Sequence, residues 1–232
     1  MPTILAIDTS TTLASVALLR DGRLISRESS GVQTHSQMIL PLLQELLDEA
    51  GITLAQCDAI AFGAGPGSFT GVRTACGVAQ GLGFGANLPV VPVVTLEAMA
   101  EACREISGAN DVLTVLDAQM REVYWAQYRF NDGWQTVIAP TLSAPHAVTP
   151  IGDVLACGNG LASYAAAFQG REFLLTAMPE VVPHAAQVAR LGLQAFALGK
   201  TQSAHDAQPI YLRNKVAFTT AERAAKAAKA SA

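Results

Sequence analysis

The sequence predicts an α/β fold made of two related lobes. Runs with the period of strands alternate with runs that have the period of helices, which is typical of the α/β class. The segment 111–133 repeats the opening of the chain, in which an apolar run ends in an aspartate and an alternating strand leads through an arginine to an Asp-Gly turn. A single offset of 109 residues aligns Asp8 with Asp117, Ala17 with Ala126 and Arg20 with Arg129. A duplicated lobe with an acid at the end of its first strand is the plan of the two-lobed actin/Hsp70-like (ribonuclease H-like) fold, which we therefore predict.

The first lobe is expected to span residues 1–108. Short apolar runs separated by turn residues predict a three-stranded meander at 3–8, 13–20 and 23–29. Between 35 and 50, apolar residues recur at the i, i+3, i+4 spacing of a helix that stops at Gly51, and Pro41 predicts a bend in it. The elements predicted next are a strand, a glycine-rich loop, a helix, a strand and a helix, at 57–63, 63–71, 70–83, 89–94 and 95–106.

The second lobe is expected to span residues 109–215. After the repeated hairpin, the pattern predicts a loop at 140–150, a short strand at 153–157 and a helix at 183–199. The last residues, 216–232, form an Ala/Lys sequence with helix propensity but no apolar face. We therefore expect a disordered tail there.

Composition and charge exclude several classes of protein. Of the 232 residues, 50% are hydrophobic and 15% charged, which excludes intrinsic disorder for the bulk of the chain. The net charge of -4 argues against a protein that grips nucleic acid by itself, because phosphate binding requires clustered Lys and Arg. The four cysteines form no CxxC pair, which favours reduced thiols. No apolar run reaches membrane-spanning length and the N-terminus lacks a signal peptide pattern, so we expect a cytoplasmic protein that makes no contact with a membrane.

The two strand-end aspartates are the first candidate site. In proteins of the predicted fold, hairpins cradle phosphates and the acids hold Mg²⁺, an ion that prefers one or two carboxylates together with phosphate oxygens. Asp8, Thr9 and Ser10, with Thr11, would supply one wall of a nucleotide or phosphate site, and Asp117 would supply the other. The alternative is that both aspartates only cap strands and turns, and the residues leave it open.

The glycine-rich loop 63–71 lies between a strand and a helix, where helix N-terminal amides attract anions. It has neither the Gly-Lys pair of a Walker A loop nor the spacing of a dinucleotide-binding GxGxxG loop. We therefore favour a tight turn in which Ser68 or Thr70 caps the helix. The chain also lacks HExxH, HxxxH and GxSxG patterns, so no metal site and no catalytic nucleophile is predicted.

The helix after this loop carries Gly77, Gly81 and Gly85 at steps of four residues. Each glycine costs about 1 kcal/mol relative to alanine in a helix, so a compensating contact is expected. Close approach of another helix, from this chain or from a partner, would supply it. Met38 and Leu40 add apolar surface to the preceding helix outside its main stripe.

Four stretches of the chain resemble the bacterial TsaB (YeaZ) family of tRNA threonylcarbamoyladenosine biosynthesis proteins: ILAIDTST, THSQMILPLLQELL, FGAGPGSFTGVRTACGVAQGLGFG and VLDAQMREVYWAQY. The similarity ends with PIYLRNKVA at 209–217 and thus spans nearly the whole chain. The resemblance implies the two-lobed actin and Hsp70 type of fold. It also implies a role in attaching threonylcarbamoyl to the adenosine beside the anticodon of tRNAs that read codons starting with A.

The resemblance further implies a partner of similar sequence, the catalytic subunit TsaD, which binds its metal through an HxxxH motif. The matching positions here are Thr95 and Met99, which are poor ligands for such a metal, so no catalytic metal is expected in this chain. The stretch 157–160 (CGNG) resembles a degraded form of the superfamily's Gly-Gly adenosine motif. No cofactor is therefore assigned to this chain, any site at Asp8 and Asp117 would be vestigial, and ATP or ADP with Mg²⁺ belongs at most to the complex.

The leading hypothesis is a non-catalytic scaffold subunit that binds and activates TsaD, with the ATPase TsaE joining the pair and tRNA only as substrate of the complex. The family's mode of association implies a bundle of the helices 35–49 and 70–84 with the same helices of TsaD, or with a second copy when the chain is alone. Helix periodicity and this mode together select eight interface or supporting residues: Ile39, Leu42, Leu43, Leu46, Val72, Cys76, Ala79 and Gln80. On this hypothesis, Ala79→Glu should abolish pairing and leave the fold intact.

The competing hypothesis is an independent enzyme. It would be an ATP-dependent phosphotransferase that uses Asp8 and Asp117, or a peptidase, as an older glycoprotease label for the family implies. The peptidase is the weaker form because the expected metal ligands are replaced.

Overall fold

The computed structural model describes residues 1–29 and 35–213, which form two β-sheets with helices between and around them. The disordered tail predicted for 216–232 lies outside the described residues. Among the residues described, no helix combines the length and apolar character needed to cross a lipid bilayer.

The first sheet has five strands in the order β3-β2-β1-β4-β5. They are β1 (Ile4–Asp8), β2 (Ala14–Arg20), β3 (Arg23–Ser29), β4 (Ala59–Gly65) and β5 (Val90–Val94). The first three strands form the predicted antiparallel meander, while β4 runs parallel to β1 and β5 parallel to β4. Every residue of β1 is buried, which explains why apolar residues fill this central strand without alternation.

Three helices accompany this sheet: α1 (His35–Ala50), α2 (Phe69–Ala86) and α3 (Thr95–Ser107). The apolar stripe of α1 packs on β2, and α2 packs on β4. Both helices lie on the same face of the sheet. The predicted start and stop of α1 are confirmed. Gly108 ends α3 in the left-handed conformation, with φ of 75°, which glycine adopts without steric cost.

The second sheet has four strands in the order β8-β7-β6-β9. They are β6 (Asp111–Asp117), β7 (Val123–Phe130), β8 (Trp134–Ser143) and β9 (Leu155–Cys157). Two short helices, α4 (Gly160–Ser163) and α5 (Ala165–Phe168), contribute Leu161 and Phe168 to the core on one face of this sheet.

Strand β8 corrects the loop that the sequence predicts at 140–150, because the strand continues to Ser143. Its pairing with β7 shifts register between Trp125 and Gln127, opposite Thr141 and Ile138. Pro140 falls in this irregular stretch, where the missing N–H breaks no regular ladder hydrogen bond. Pro140 is therefore accommodated inside a strand.

The two sheets repeat one topology, since β8-β7-β6-β9 corresponds strand by strand to β3-β2-β1-β4. The strand register corrects the single offset of 109 residues that the sequence suggests. Asp8 pairs with Ser15, whereas Asp117 pairs with Val123, so the second hairpin is shorter by one residue between its paired ends.

The faces of the strands show which positions correspond. Ala17 and Ala126 both face the helices between the sheets, so the second strands keep the offset. In β1, the first strand of its sheet, Asp8 also faces these helices. In β6, the first strand of the other sheet, the residue that faces the helices at the corresponding position is Leu116. The structural counterpart of Asp8 is therefore Leu116. Asp117 lies one residue further along β6 and on the opposite face.

Helix α6 (Ala185–Ala197) and α3 lie between the two sheets and contact each other. α6 packs on β1, β2 and β4, while α3 packs on β6. Small residues allow this approach: a Cβ added at Gly192 would lie 2.5 Å from that of Ala61. A helix from the second half of the chain thus completes the core of the first sheet. The lobe boundaries at 1–108 and 109–215 stay predictions.

A histidine caps the first turn of α6. Nδ1 of His184 accepts a hydrogen bond from the amide of Ala186 at 3.0 Å, so Nε2 carries the proton and faces Glu28 Oε2 at 3.2 Å. Burial lowers the pKa of His184, although the neighbouring Glu28 carboxylate opposes this shift. The neutral ring is thus the form that fits the cap.

We expect His184→Asn to keep the cap and to reduce the pH dependence of stability. In the native chain, the free energy of unfolding should fall as the pH drops below the ordinary histidine pKa of about 6.5, because the unfolded state then binds a proton that the folded ring resists. His184→Ala should cost about 0.5–2 kcal/mol at pH 8, the range for a lost N-cap. Urea unfolding at pH 8 and at pH 5.5 measures both effects, and the same loss on acidification in the native and Asn forms would contradict this role.

Candidate functional site

A cleft of about 580 Å³ opens between the lobes, at the ends of β1 and β6. Its first wall comes from the residues after β1 and from the start of α2, its second wall from the residues after β6, and the segment 210–213 closes one side. The polar side chains that line it are those of Ser10, Thr11, Thr12, His35, Ser68, Asp117, Gln119, Tyr124, Asn159, Tyr211 and Arg213. The fold thus brings Ser10 and Asp117 to one cleft, as predicted, but Asp8 and Thr9 do not line it.

Asp8 lies behind the first wall and is fully buried. Its Oδ1 accepts hydrogen bonds from the amide of Ser10 at 3.0 Å and from the Ser10 hydroxyl at 2.8 Å. Its Oδ2 has no hydrogen-bond partner among the described residues and lies against Gly63, where an added Cβ would overlap it. Burial raises the pKa of Asp8 to about 6, against the opposing effect of the two Ser10 hydrogen bonds.

Asp117 belongs to the second wall, and its carboxylate is held by its own lobe. Oδ1 accepts hydrogen bonds from the Gln119 amide at 2.8 Å and from the Tyr164 hydroxyl at 2.9 Å, and Oδ2 accepts one from Gln119 Nε2 at 2.8 Å. The side-chain oxygen Oδ1 of Asn159 accepts a hydrogen bond from the backbone amide of Asp117 at 3.0 Å. Sequence reasoning missed this role of Asn159, because nothing in the pattern pairs it with Asp117.

These two aspartates do not fit a shared Mg²⁺ site. Asp8 is fully buried and outside the cleft wall, whereas both oxygens of Asp117 already accept hydrogen bonds. Mg²⁺ requires ionised carboxylate oxygens that are free to coordinate. Within the part of the chain that the structure describes, no cluster of three or more His, Cys, Asp or Glu side chains could hold a metal. A phosphate site at this cleft stays a prediction.

The glycine-rich loop has the structural role that the sequence favours. The Ser68 hydroxyl caps α2 by accepting the Gly71 amide at 3.4 Å, which confirms the predicted N-cap. Thr9 donates to the Gly71 carbonyl at 2.7 Å, and an added Cβ at Gly71 would overlap the Thr9 carbonyl. The glycine is therefore required because the loop lies directly on the end of β1.

The positions that match the TsaD metal motif also have structural roles. The Thr95 hydroxyl accepts the Gly65 amide at 3.1 Å, and Met99 is fully buried between α3 and the second sheet. Gly158, with φ of 111°, lies so close to the Val115 carbonyl that a Cβ would not fit. The 157–160 stretch thus serves the packing of β9 and the orientation of Asp117.

The residues predicted for a partner interface lie in the chain's own core. Six of them are buried in the first-lobe cluster between the helices and the sheet: Ile39, Leu42, Leu43, Leu46, Cys76 and Ala79. Val72 is also buried, and it lies against the cleft. Gln80 is partly buried and donates to the Ala207 carbonyl at 2.9 Å. In this fold the seven buried side chains can support a surface from beneath, and their part in a partner interface stays a prediction. Because Ala79 is fully buried, we instead expect Ala79→Glu to disrupt the fold.

A different set of residues on α1 and α2 faces solvent, and we call it the outer face: Leu40, Gly77, Gly81, Phe84 and Gly85. Phe84 is 85% exposed and Leu40 52% exposed. No heavy atom lies within 4 Å of a Cβ added at any of the three glycines. The glycine spacing and Leu40 are visible in the sequence, but the exposure of Phe84 follows only from the fold.

Comparison with known proteins shows similarity over nearly the whole chain. The family model described as TsaD, tRNA N6-adenosine threonylcarbamoyltransferase, matches residues 26–232. The chain is 40% identical over 228 residues to the tRNA threonylcarbamoyladenosine biosynthesis protein TsaB of Haemophilus influenzae, covering 93% of this chain and 95% of that one. It is 38% identical over 222 residues to the Escherichia coli protein of the same name, covering 93% and 96%.

A solved structure of YeaZ from Pseudomonas aeruginosa matches the fold with a TM-score of 0.85 at 39% identity, covering 91% of this chain and 100% of that one. Sequence identity near 40% and the matching fold extend over 91–93% of this chain. The two repeated sheets with α3 and α6 between them are the two-lobed actin/Hsp70-like architecture that the sequence predicts. The chain belongs to the TsaB (YeaZ) family.

Proposed function

We propose that this chain acts in tRNA threonylcarbamoyladenosine biosynthesis as a non-catalytic subunit that binds the transferase TsaD and activates it. Relatives at 40% and 38% identity carry this pathway in their names. The match to the TsaD family model supports a partner of the same fold, so that the two proteins can meet through equivalent helices. The observation that carries the docking part of the proposal is the outer face.

The outer face has the composition of a helix-docking surface. Gly77, Gly81 and Gly85 each cost α2 about 1 kcal/mol relative to alanine, and no neighbour within the described chain approaches them. A glycine stripe permits a second helix to approach with its backbone close. Phe84 on the same helix and Leu40 on α1 supply large exposed apolar side chains, which association would remove from water.

The geometry of the cleft supports a role other than independent catalysis. Thr95 and Met99 are used for packing, and Asp8 lies behind the cleft wall, which argues against a phosphotransferase that uses Asp8 with Asp117. We therefore assign the chemistry to TsaD.

The proposal extends to the rest of the assembly. Without TsaD, two copies of the chain cover each other's outer face as a self-dimer. The ATPase TsaE joins the pair, ATP or ADP with Mg²⁺ acts within the complex, and tRNA enters as substrate of that complex in the cytoplasm. The net charge of -4 supports binding of tRNA by the assembly rather than by this chain alone.

We expect Gly81→Arg to weaken TsaD binding while it slightly stabilises the isolated chain. The side chain has open space in the free protein, and arginine has the better helix propensity by about 1 kcal/mol, but the added bulk and charge keep a second helix at a distance. Titration of purified chain with the cognate TsaD should show affinity lower by about tenfold or more, as for loss of a central interface contact.

The matched control is Ile106→Arg, which places the same charge at a 66% exposed residue near the end of α3, away from the outer face. It should bind TsaD like the native chain. Native affinity in Gly81→Arg, or equal weakening in both variants, would contradict docking through the outer face.

A further inference from the structure

Residues 207–213 form a strap, here called the C-terminal strap, that is bonded to both lobes. On the first lobe, the Ala207 carbonyl accepts Gln80 Nε2 from α2 at 2.9 Å, and the Ile210 amide donates to the Ala64 carbonyl of β4 at 2.7 Å. The Tyr211 ring packs on Phe69, the first residue of α2, with 5.7 Å between the ring centroids.

Arg213 joins this strap to the second lobe. Its guanidinium donates to the Ala118 carbonyl at 3.0 Å and to the Glu122 carboxylate at 2.7 Å. These two residues bracket the turn between β6 and β7 and pair with each other through the Ala118 amide and the Glu122 carbonyl at 3.0 Å. The Arg213 side chain is only 13% exposed, so the contact is well packed. A charge-assisted hydrogen bond of this kind is stronger than a neutral one.

The turn that Arg213 grips is left-handed. Gln119, Met120 and Arg121 have φ values of 59°, 56° and 64°. In this region the Cβ of an L-residue crowds the following carbonyl, and residues other than glycine, asparagine and aspartate rarely adopt it, least of all in succession. Three consecutive residues of this kind place strain in a turn that also lines the cleft.

We infer that Arg213 is a latch between the lobes: the C-terminal strap, anchored on the first lobe, holds the strained 119–121 turn in its left-handed form and so fixes the second wall of the cleft. Gln119 is the link to the wall, because it donates both its amide and its side chain to the Asp117 carboxylate. When the strap is released, the turn relaxes and Asp117 loses these two donors. Arg213 is thus a positioning residue, and this role does not depend on TsaD.

Hydrogen exchange of the full chain tests the latch. In Arg213→Ala, the Ala118 and Glu122 amides should exchange about tenfold faster or more, as expected for local opening, while amides of β1 and β4 keep their rates. The matched control is Arg129→Ala, which removes an arginine that pairs with Asp111 at 2.7 Å on the same sheet without touching the turn. Unchanged exchange at Ala118 and Glu122 in Arg213→Ala, or the same acceleration in the control, would overturn the inference.

A second variant separates a strained turn from an ordinary contact. Arg121 is exposed, so Arg121→Gly relieves the left-handed strain while it removes little packing. In the Arg213→Ala background, Arg121→Gly should slow exchange at Ala118 and Glu122 again by about fivefold or more, since each strained residue disfavours the turn by this order. If the glycine accelerates exchange further, the turn holds no strain for Arg213 to oppose and the latch is refuted.

Discussion

Ala79→Glu is expected to unfold the first lobe, not merely to abolish pairing. Ala79 is completely buried among the side chains that join α2 to the first sheet. A carboxylate placed there without a partner costs several kcal/mol, and a typical domain is stable by only about 5–15 kcal/mol. Circular dichroism should show loss of the folded baseline at 37 °C, or a urea midpoint far below that of the native chain.

Gly81→Glu is the matched control, because it adds the same side chain two residues further along α2 on the outer face. It should keep the native spectrum and urea midpoint, since a Cβ at Gly81 meets no atom within 4 Å. If instead Ala79→Glu melts like the native chain and only fails to bind TsaD, then Ala79 faces a partner and the placement of α2 described here is wrong.

The second large effect is expected at Asp8, in the pH dependence of stability. The pKa of its buried carboxyl is raised from 3.8 to about 6. A raised acid pKa means that stability is lost as the pH rises, because the unfolded state ionises above about 4 while the folded state stays protonated up to about 6. The shift corresponds to about 3 kcal/mol, at about 1.4 kcal/mol per pKa unit, and this cost is fully present at pH 7.

Asp8→Asn removes this titration and keeps an oxygen for the two Ser10 hydrogen bonds. The free energy of unfolding of Asp8→Asn minus that of the native chain should therefore rise by about 2–3 kcal/mol between pH 4 and pH 7. Comparing the difference across pH cancels any constant cost of the new amide. Asp132→Asn, at an exposed turn, controls for the loss of one negative charge. A flat difference for Asp8→Asn would show that this carboxyl is not buried as described.

Much of the fold follows from local pattern, because period and turn residues are properties of neighbours in sequence. The meander, α1 and the Ser68 cap were accessible in this way. The sequence did not show that Asp8 and Asp117 occupy different positions. The second hairpin is one residue shorter, which turns Asp117 to the opposite face, and the single offset of 109 residues does not reveal this change. The extent of β8 also depends on β7, which lies beside it only in three dimensions.

The candidate surface shows the corresponding limit for sites. Helical periodicity predicted the apolar stripe of α1, which includes Ile39 and Leu46. Such a stripe indicates only that the residues are covered, and not which surface covers them. In the structure, the stripe packs on the first sheet of the same chain. The glycines at 77, 81 and 85 were the better indication, because they break a rule of helix composition that the chain's own packing does not compensate.

The path of α6 has a consequence for the molecule as a whole. The last long helix returns to line the sheet formed by the first residues of the chain, and the Ser15 hydroxyl accepts the Ala185 amide at its start at 2.9 Å. The core of the first sheet can therefore be completed only after α6 has left the ribosome. During synthesis, the N-terminal strands must remain without this cover until most of the polypeptide has been made.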